Sequence, residues 1–215
     1  MIERKRSSMK IRPALAFAVA FTLASAGAWA DDAEVGSELV QTHCSNCHGK
    51  DGRSVSPTFP NLAGQTKEYI EAQIKLFREH TRADPHAQAY MWGMASNPKL
   101  TDNVIANIAT FYASKPSAPG TPPDDAALSE KGKKLYREGD ANRGVPACSM
   151  CHGEKGEGFE TIPVIPRLAG QHKEYLVKQL EAFQTNLREN ALMHQIASGL
   201  APGDIDAITT FLASQ

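Results

Sequence analysis

Cysteine is scarce in this chain. There are four in 215 residues, and all of them fall in two short strings. Each string offers two cysteines and one histidine, short of the four ligands of a structural zinc site. An excess of one charge is missing too: 23 Lys+Arg stand against 24 Asp+Glu, which excludes a strongly basic nucleic-acid binder. A mean hydropathy of −0.37 excludes a polytopic membrane protein. No stretch alternates with period two, so nothing argues for a half-buried strand. Long apolar runs are absent with one exception, residues 13–30.

That run reads PALAFAVAFTLASAGAWA and follows Arg4, Lys5, Arg6, Lys10 and Arg12. It closes on Ala28-Trp29-Ala30, then Asp31-Asp32. A basic start, an apolar centre and small residues at −3 and −1 predict a secretory signal over 1–30, cleaved after Ala30. The run is short for a membrane span. Cleavage leaves 185 residues with 18 basic and 23 acidic side chains, a net charge of −5. The mature protein is then exported to a compartment that permits cysteine oxidation.

The remainder is duplicated. FPNLAGQTKEYIEAQIKLF at 59–77 recurs as IPRLAGQHKEYLVKQLEAF at 165–183. CSNCHG at 44–49 recurs as CSMCHG at 148–153, and IATFYAS at 108–114 as ITTFLAS at 208–214. Three blocks in one order indicate a repeated domain. Between the copies lies SKPSAPGTPPDDAA, whose prolines predict an extended linker. The expected division is 31–115, a linker over 116–124, and 125–215. Each copy is small enough to need help in forming a core.

Each copy reads as helical. Helices are predicted over 33–43 and 127–138 before the cysteine strings, and over 67–80 and 173–186 after KEY. A last helix runs from Thr101 as N-cap to Ser114. Val104, Ile105, Ile108, Phe111 and Tyr112 fall on one face of it, and Ile205, Ile208, Phe211 and Leu212 repeat that stripe.

Cys44-Ser-Asn-Cys47-His48 and Cys148-Ser-Met-Cys151-His152 both follow C-x-x-C-H, the attachment motif of c-type haem. Two thiols add to the two vinyl groups on one porphyrin edge, and the adjacent histidine is held under the iron. A redox C-x-x-C would need a βαβ setting, which is absent. Two covalently bound haems c are therefore expected. A methionine opposite each histidine would close the iron and raise its potential. After cleavage only Met91, Met94, Met150 and Met193 remain. Met150 lies inside a C-x-x-C and cannot reach the far face. Met193 is the methionine candidate in the second copy, with His194 its one rival. Met91 and Met94 compete in the first. His43, His80, His86 and His172 read as surface residues.

Taken together, CSNCHGKDG, both P-x-LAGQ blocks, the YxxxQ helices, MWGM, RGVPACSMCH and MHQIASGLAPGDI resemble the dihaem cytochrome c4 family. The resemblance covers essentially the whole mature chain. It implies an all-α fold of two tandem class I cytochrome c domains joined by the proline-rich linker. It implies thioether links at Cys44, Cys47, Cys148 and Cys151, with iron ligands His48, Met91, His152 and Met193. The family's M-x-x-M uses its first methionine, which favours Met91, although nine residues separate Met91 from Leu100 where the family usually has seven. Pro60 and Pro166 match the proline whose carbonyl holds the proximal imidazole.

The resemblance further implies a periplasmic electron carrier rather than an enzyme. The expected partners, met transiently, are a membrane quinol-oxidising cytochrome bc complex and a haem–copper oxidase or other reductase. The acidic balance predicts salt-sensitive docking on basic patches. The competing class is a dihaem redox enzyme or enzyme subunit with one open haem. A thiosulfate-oxidising enzyme would typically need an unusual ligand such as a further cysteine, and none is left over. A haem-based sensor would need an output domain, and none is seen in this sequence.

Overall fold

The computed structural model of the chain describes Met1 and residues 24–215. The predicted signal segment therefore lies largely outside the described residues, and the junction after Ala30 falls within the first helix. Among the described residues there is no strand, only two isolated bridges, Arg82 with Arg188 and Asp140 with Val145. No described helix is long and apolar enough to cross a membrane.

In the first repeat, α1 (Ala24–Leu39) runs through a π-helical turn (Val40–Cys44) into α2 (Ser45–His48). The cysteine string is thus the end of a longer helical run than 33–43. α3 covers Lys67–Arg78, a π turn (Ala87–Met91) leads into α4 (Trp92–Ala95), and α5 covers Asp102–Ala113. The Thr101 hydroxyl accepts the Val104 N–H at 3.2 Å, the N-cap expected there.

The second repeat has α6 (Ala126–Glu138), α7 (Ser149–His152), α8 (Lys173–Gln184), α9 (Ala191–Ser198) and α10 (Pro202–Ala213). Here the chain does not run straight into the cysteine string. It detours after Gly139 through a loop closed by Asp140 and Val145, which exchange backbone hydrogen bonds of 2.7 and 3.0 Å.

Helices α3 and α8 both stop two residues short of the prediction. His80 and Asn186 take positive φ, 59° and 57°, a left-handed conformation that ends a helix. The same stop in both copies sends the chain back along the joint between them. The segments carrying Met91 and Met193 are helical, which the sequence reading did not foresee.

The first and last helices of each copy pack together, α1 on α5 and α6 on α10. Gly132 lets α6 approach the backbone of Ala207 so closely that a Cβ there would overlap its carbonyl. The first core gathers Leu39, Val40, Ile70, Val104, Ile108 and Tyr112. The second gathers Tyr136, Val145, Leu176, Ile205, Ile208, Phe211 and Leu212. The large ring comes from the last helix in one copy (Tyr112) and from the first helix in the other (Tyr136). Val40 and Leu212 fill the complementary places, so volume is kept while its source is exchanged.

The proline-rich segment is non-helical, as expected, but it is strapped down. Arg53 donates to the carbonyls of Pro116 (2.9 Å) and Ser117 (3.2 Å), and the Thr121 N–H donates to Ala213 O at 2.8 Å.

Candidate haem-attachment sites and the joint between them

Each cysteine string is a single helical turn. Residues three apart share a helix face, so Cys44 and Cys47 lie together, as do Cys148 and Cys151. All four are free and half-buried, not paired as disulfides. Burial pushes the Cys44 thiol up, and the Cys148 thiol up to about 11. Such thiols do not have the depressed values of catalytic cysteines.

Both turns end on a glycine at positive φ, Gly49 (77°) and Gly153 (84°). A Cβ on Gly49 would overlap the Arg53 carbonyl, so the reversal there needs glycine. The loop after it brings Pro60 back over His48. The His48 Nδ1–H donates to Pro60 O at 2.9 Å, and the His152 Nδ1–H to Pro166 O at 3.0 Å. Both imidazoles are buried, 7% and 9% exposed. Burial pulls the His48 and His152 values down, the proline carbonyls opposing it. Each ring is therefore neutral with its proton on Nδ1, leaving the Nε2 lone pair for a metal. Two thiols and one oriented imidazole, built twice, fit the donor set of a covalently attached haem.

Met91 and Met193 occupy matching places. The residue after each ties its segment to the KEY helix or its exit. Trp92 Nε1–H donates to Arg82 O at 2.9 Å, and His194 Nδ1–H to Phe183 O at 2.7 Å. Four residues after each methionine comes a fully buried alanine, Ala95 or Ala197. In this register Met94 corresponds to Ile196, which packs on the second core. Asp84 accepts the Ala87 N–H (3.2 Å) where Asn190 accepts that of Met193 (2.9 Å), so the first copy has one extra turn before its methionine.

The other histidines have partners the sequence reading did not assign. His80 stacks on Trp92 at 4.2 Å. His86 stacks on Tyr90 and its Nε2 accepts from Lys178 Nζ at 3.4 Å. The His172 Nε2–H donates to Ser54 O across the joint at 3.0 Å.

The joint itself is reciprocal. The Gln65 side chain takes the N–H and gives to the C=O of Arg167 at 2.9 and 3.0 Å. Gln171 does the same with Asn61, both at 2.9 Å. Further along, Arg82 and Arg188 run antiparallel, each with its guanidinium 4.6 Å over the phenylalanine of its own repeat, Phe77 or Phe183. Arg82 donates to Gln73 (2.8 Å), Tyr175 (3.1 Å), Gln179 (2.6 Å) and Asp84 (3.0 Å). Arg188 donates to Gln179 (2.7 Å), Gln73 (2.9 Å) and Tyr69. Gln65, Tyr69, Gln73, Phe77 and Arg82 recur unchanged 106 positions later, while Asn61 is replaced by Arg167 and Asp84 by Asn190. That spacing at polar positions was the signal available for the joint, and it was read only as a repeat.

The cytochrome c family model matches residues 33–114 and again 129–215. Cytochrome c4 of Thiocapsa roseopersicina is 37% identical over 184 residues, covering 84% of this chain and 91% of that protein. The thiosulfate dehydrogenase electron acceptor of Thiomonas intermedia is 32% identical over 181 residues, covering 80% of this chain and 78% of its own length. Among solved structures, the cytochrome c4 of Acidithiobacillus ferrooxidans superposes with a TM-score of 0.74 at 35% identity, over 80% of this chain and 98% of that one. With two matched halves, two equally built attachment turns and this likeness along its length, the chain belongs to the dihaem cytochrome c4 group of the cytochrome c family, all-helical electron-transfer proteins carrying two covalently bound haems c.

Proposed function

We propose that this protein is a periplasmic electron shuttle of a respiratory chain. It would take electrons from a quinol-oxidising cytochrome bc complex and pass them to a haem–copper oxidase or another reductase. The working units are 31–115 and 125–215, with 116–124 between them and 1–30 removed on export. Cys44 and Cys47 hold one haem and Cys148 and Cys151 the other. His48 and His152 would supply a nitrogen ligand to each iron, and Met91 and Met193 a sulfur ligand.

One-electron exchange is the chemistry the bound haems supply. The protein's part is orientation. The observation that carries the reading is the pair of proline-tied imidazoles, identical in both copies, each matched by a methionine in the same register. Both copies offer the same donor set, which supports two closed irons. An iron held by both a histidine and a methionine would favour electron transfer over oxygen chemistry.

The test is spectroscopic. The holo-protein should contain two low-spin haems, show a sulfur–iron charge-transfer band when oxidised, and not respond to carbon monoxide. One high-spin or carbon monoxide-binding haem would refute the closed-iron reading. A second reading is favoured by the Thiomonas relative, whose name makes it an acceptor for thiosulfate dehydrogenase. The protein would then serve that enzyme as a dedicated acceptor subunit. Co-purification with a thiosulfate-oxidising partner, and reduction by it faster than by a bc complex, would select this reading.

A further inference from the structure

Beside the first attachment turn lies a buried hydroxyl with nothing to bond. Among the described residues, two buried side-chain polar atoms find no hydrogen-bond partner, the Asn107 amide nitrogen and the Tyr112 hydroxyl. Asn107 is half-buried where α5 meets Gly36 of α1. Tyr112 is the deeper of the two, 0% exposed, in the core on which Cys44 packs. Its ring is fixed from several sides. Gly52 passes so close that a Cβ there would overlap the ring edge. Phe111 meets the ring edge-on at 5.2 Å, and the Tyr112 carbonyl accepts the Gly64 N–H at 2.9 Å. So held, the hydroxyl lies against the Cys44 thiol. Burial is the larger effect and raises that thiol, and the Tyr112 hydroxyl opposes the rise. The two are nonetheless not aligned into a hydrogen bond. A free thiol carries its own hydrogen, which competes for the line between them. A thioether sulfur has none and can only accept. An unpaired hydroxyl in a core is costly, so the pairing is favoured once the sulfur is alkylated.

The second copy has no such group. Leu212 stands where Tyr112 does. Its tyrosine, Tyr136, comes from α6 and gives its hydroxyl to Gly153 O at 2.8 Å. Burial raises the Cys148 thiol to about 11 with no hydroxyl opposing it.

We propose that Tyr112 is a positioning residue of the first haem, whose hydroxyl donates to the Cys44 sulfur once that sulfur is a thioether, and that Cys148 has no equivalent. The inference rests on the two-haem reading. The bond draws electron density from the sulfur and so favours the reduced state at the first centre alone.

The holo-protein is titrated by spectroelectrochemistry, with each midpoint assigned to its haem by NMR. Tyr112→Phe keeps the ring and removes only the donor. It should raise the oxidised-to-reduced ratio of the first haem about threefold at fixed poise, equivalent to ~28 mV for a one-electron couple, and leave the second unmoved. In the reduced wild type the Tyr112 hydroxyl proton should exchange slowly and show a cross-peak to the Cys44 β-protons. Tyr136→Val combined with Leu212→Tyr transfers the arrangement to the second copy and should raise that midpoint by a similar factor. An unmoved first midpoint in Tyr112→Phe would overturn the proposal. So would a hydroxyl cross-peak to a buried water in place of Cys44. A wild type whose spectrum shows only one haem would instead overturn the two-haem reading, and that is read before any variant is made.

Discussion

Replacing Asp84 by Asn tests how the joint is held. The side chain keeps its shape and its carbonyl oxygen can still accept the Ala87 N–H. What is lost is the charge facing Arg82 Nε at 3.0 Å, between groups 5% and 4% exposed. At that distance, with an effective dielectric of about 20, the attraction is ~5.5 kcal/mol. Part of it offsets desolvation, and breaking a buried pair by removing one partner costs about 3–5 kcal/mol. For a chain of this size that corresponds to a fall in Tm of roughly 6–20 °C. Thermal unfolding of the holo-protein, followed by circular dichroism at 222 nm and by haem absorbance, reads it directly. Glu79→Gln, at an exposed helix end, serves as a control for charge loss alone and should change little. A fall of under 1 °C for Asp84→Asn would refute the reasoning, because the pair would then behave as a screened surface contact.

Met91→Ala should leave the first haem open to carbon monoxide while Met94→Ala does not; the reverse result would move the ligand. Gly132→Ala must push α6 off the Ala207 backbone and should cost about 1–3 kcal/mol or more in denaturant unfolding. Tyr136→Phe loses the hydroxyl that donates to Gly153 O at 2.8 Å and should cost about 1–2 kcal/mol. Burial works to raise the Asp204 carboxyl, but the Arg143 guanidinium, the Ala201 N–H and Lys131 hold it below the usual carboxylate range. A depressed carboxylate stabilises the fold at pH above its unfolded value of about 3.9 and loses that contribution as pH falls through the folded value. Asp204→Asn should therefore lower stability at neutral pH by about 1–2 kcal/mol, since Arg143 is partly exposed, and flatten the loss measured below about pH 4.

The attachment turns were legible because their chemistry is local. Cys44, Cys47 and His48 are neighbours in sequence, and their spacing is their geometry. The stripe on the last helix was legible for the same reason, since Val104, Ile108 and Phe111 follow the helical period. Helix ends were less so. His80 and Asn186 stop α3 and α8 by a left-handed turn that neither residue type demands, and what requires it is the return of the chain along the joint. The extra turn between Asp84 and Met91, which brings Met91 rather than Met94 into register with Met193, was hidden in the sequence and became visible only once Ala95 and Ala197 could be matched by burial. The joint was least legible. Gln65, Gln171, Arg82 and Arg188 are polar residues that no helical stripe marks for burial, and only a second copy of the same residues, brought against them, buries them.

The reciprocity of Gln65 with Arg167 and Gln171 with Asn61 has the form of a two-fold contact between identical subunits, here made within one chain. Either half, separated and paired with its own twin, could form those four hydrogen bonds again. The arginines would then decide which pairing survives. Twins of the first half would bring two Asp84 carboxylates to two guanidiniums, a neutral set. Twins of the second half would bring two cations and no protein carboxylate. Fusing unlike halves fixes an intermediate state, one acid for two bases, that no symmetric dimer can reach. Duplication followed by a change at a single capping residue, Asp84 against Asn190, is enough to leave the two halves of the joint unequal in charge.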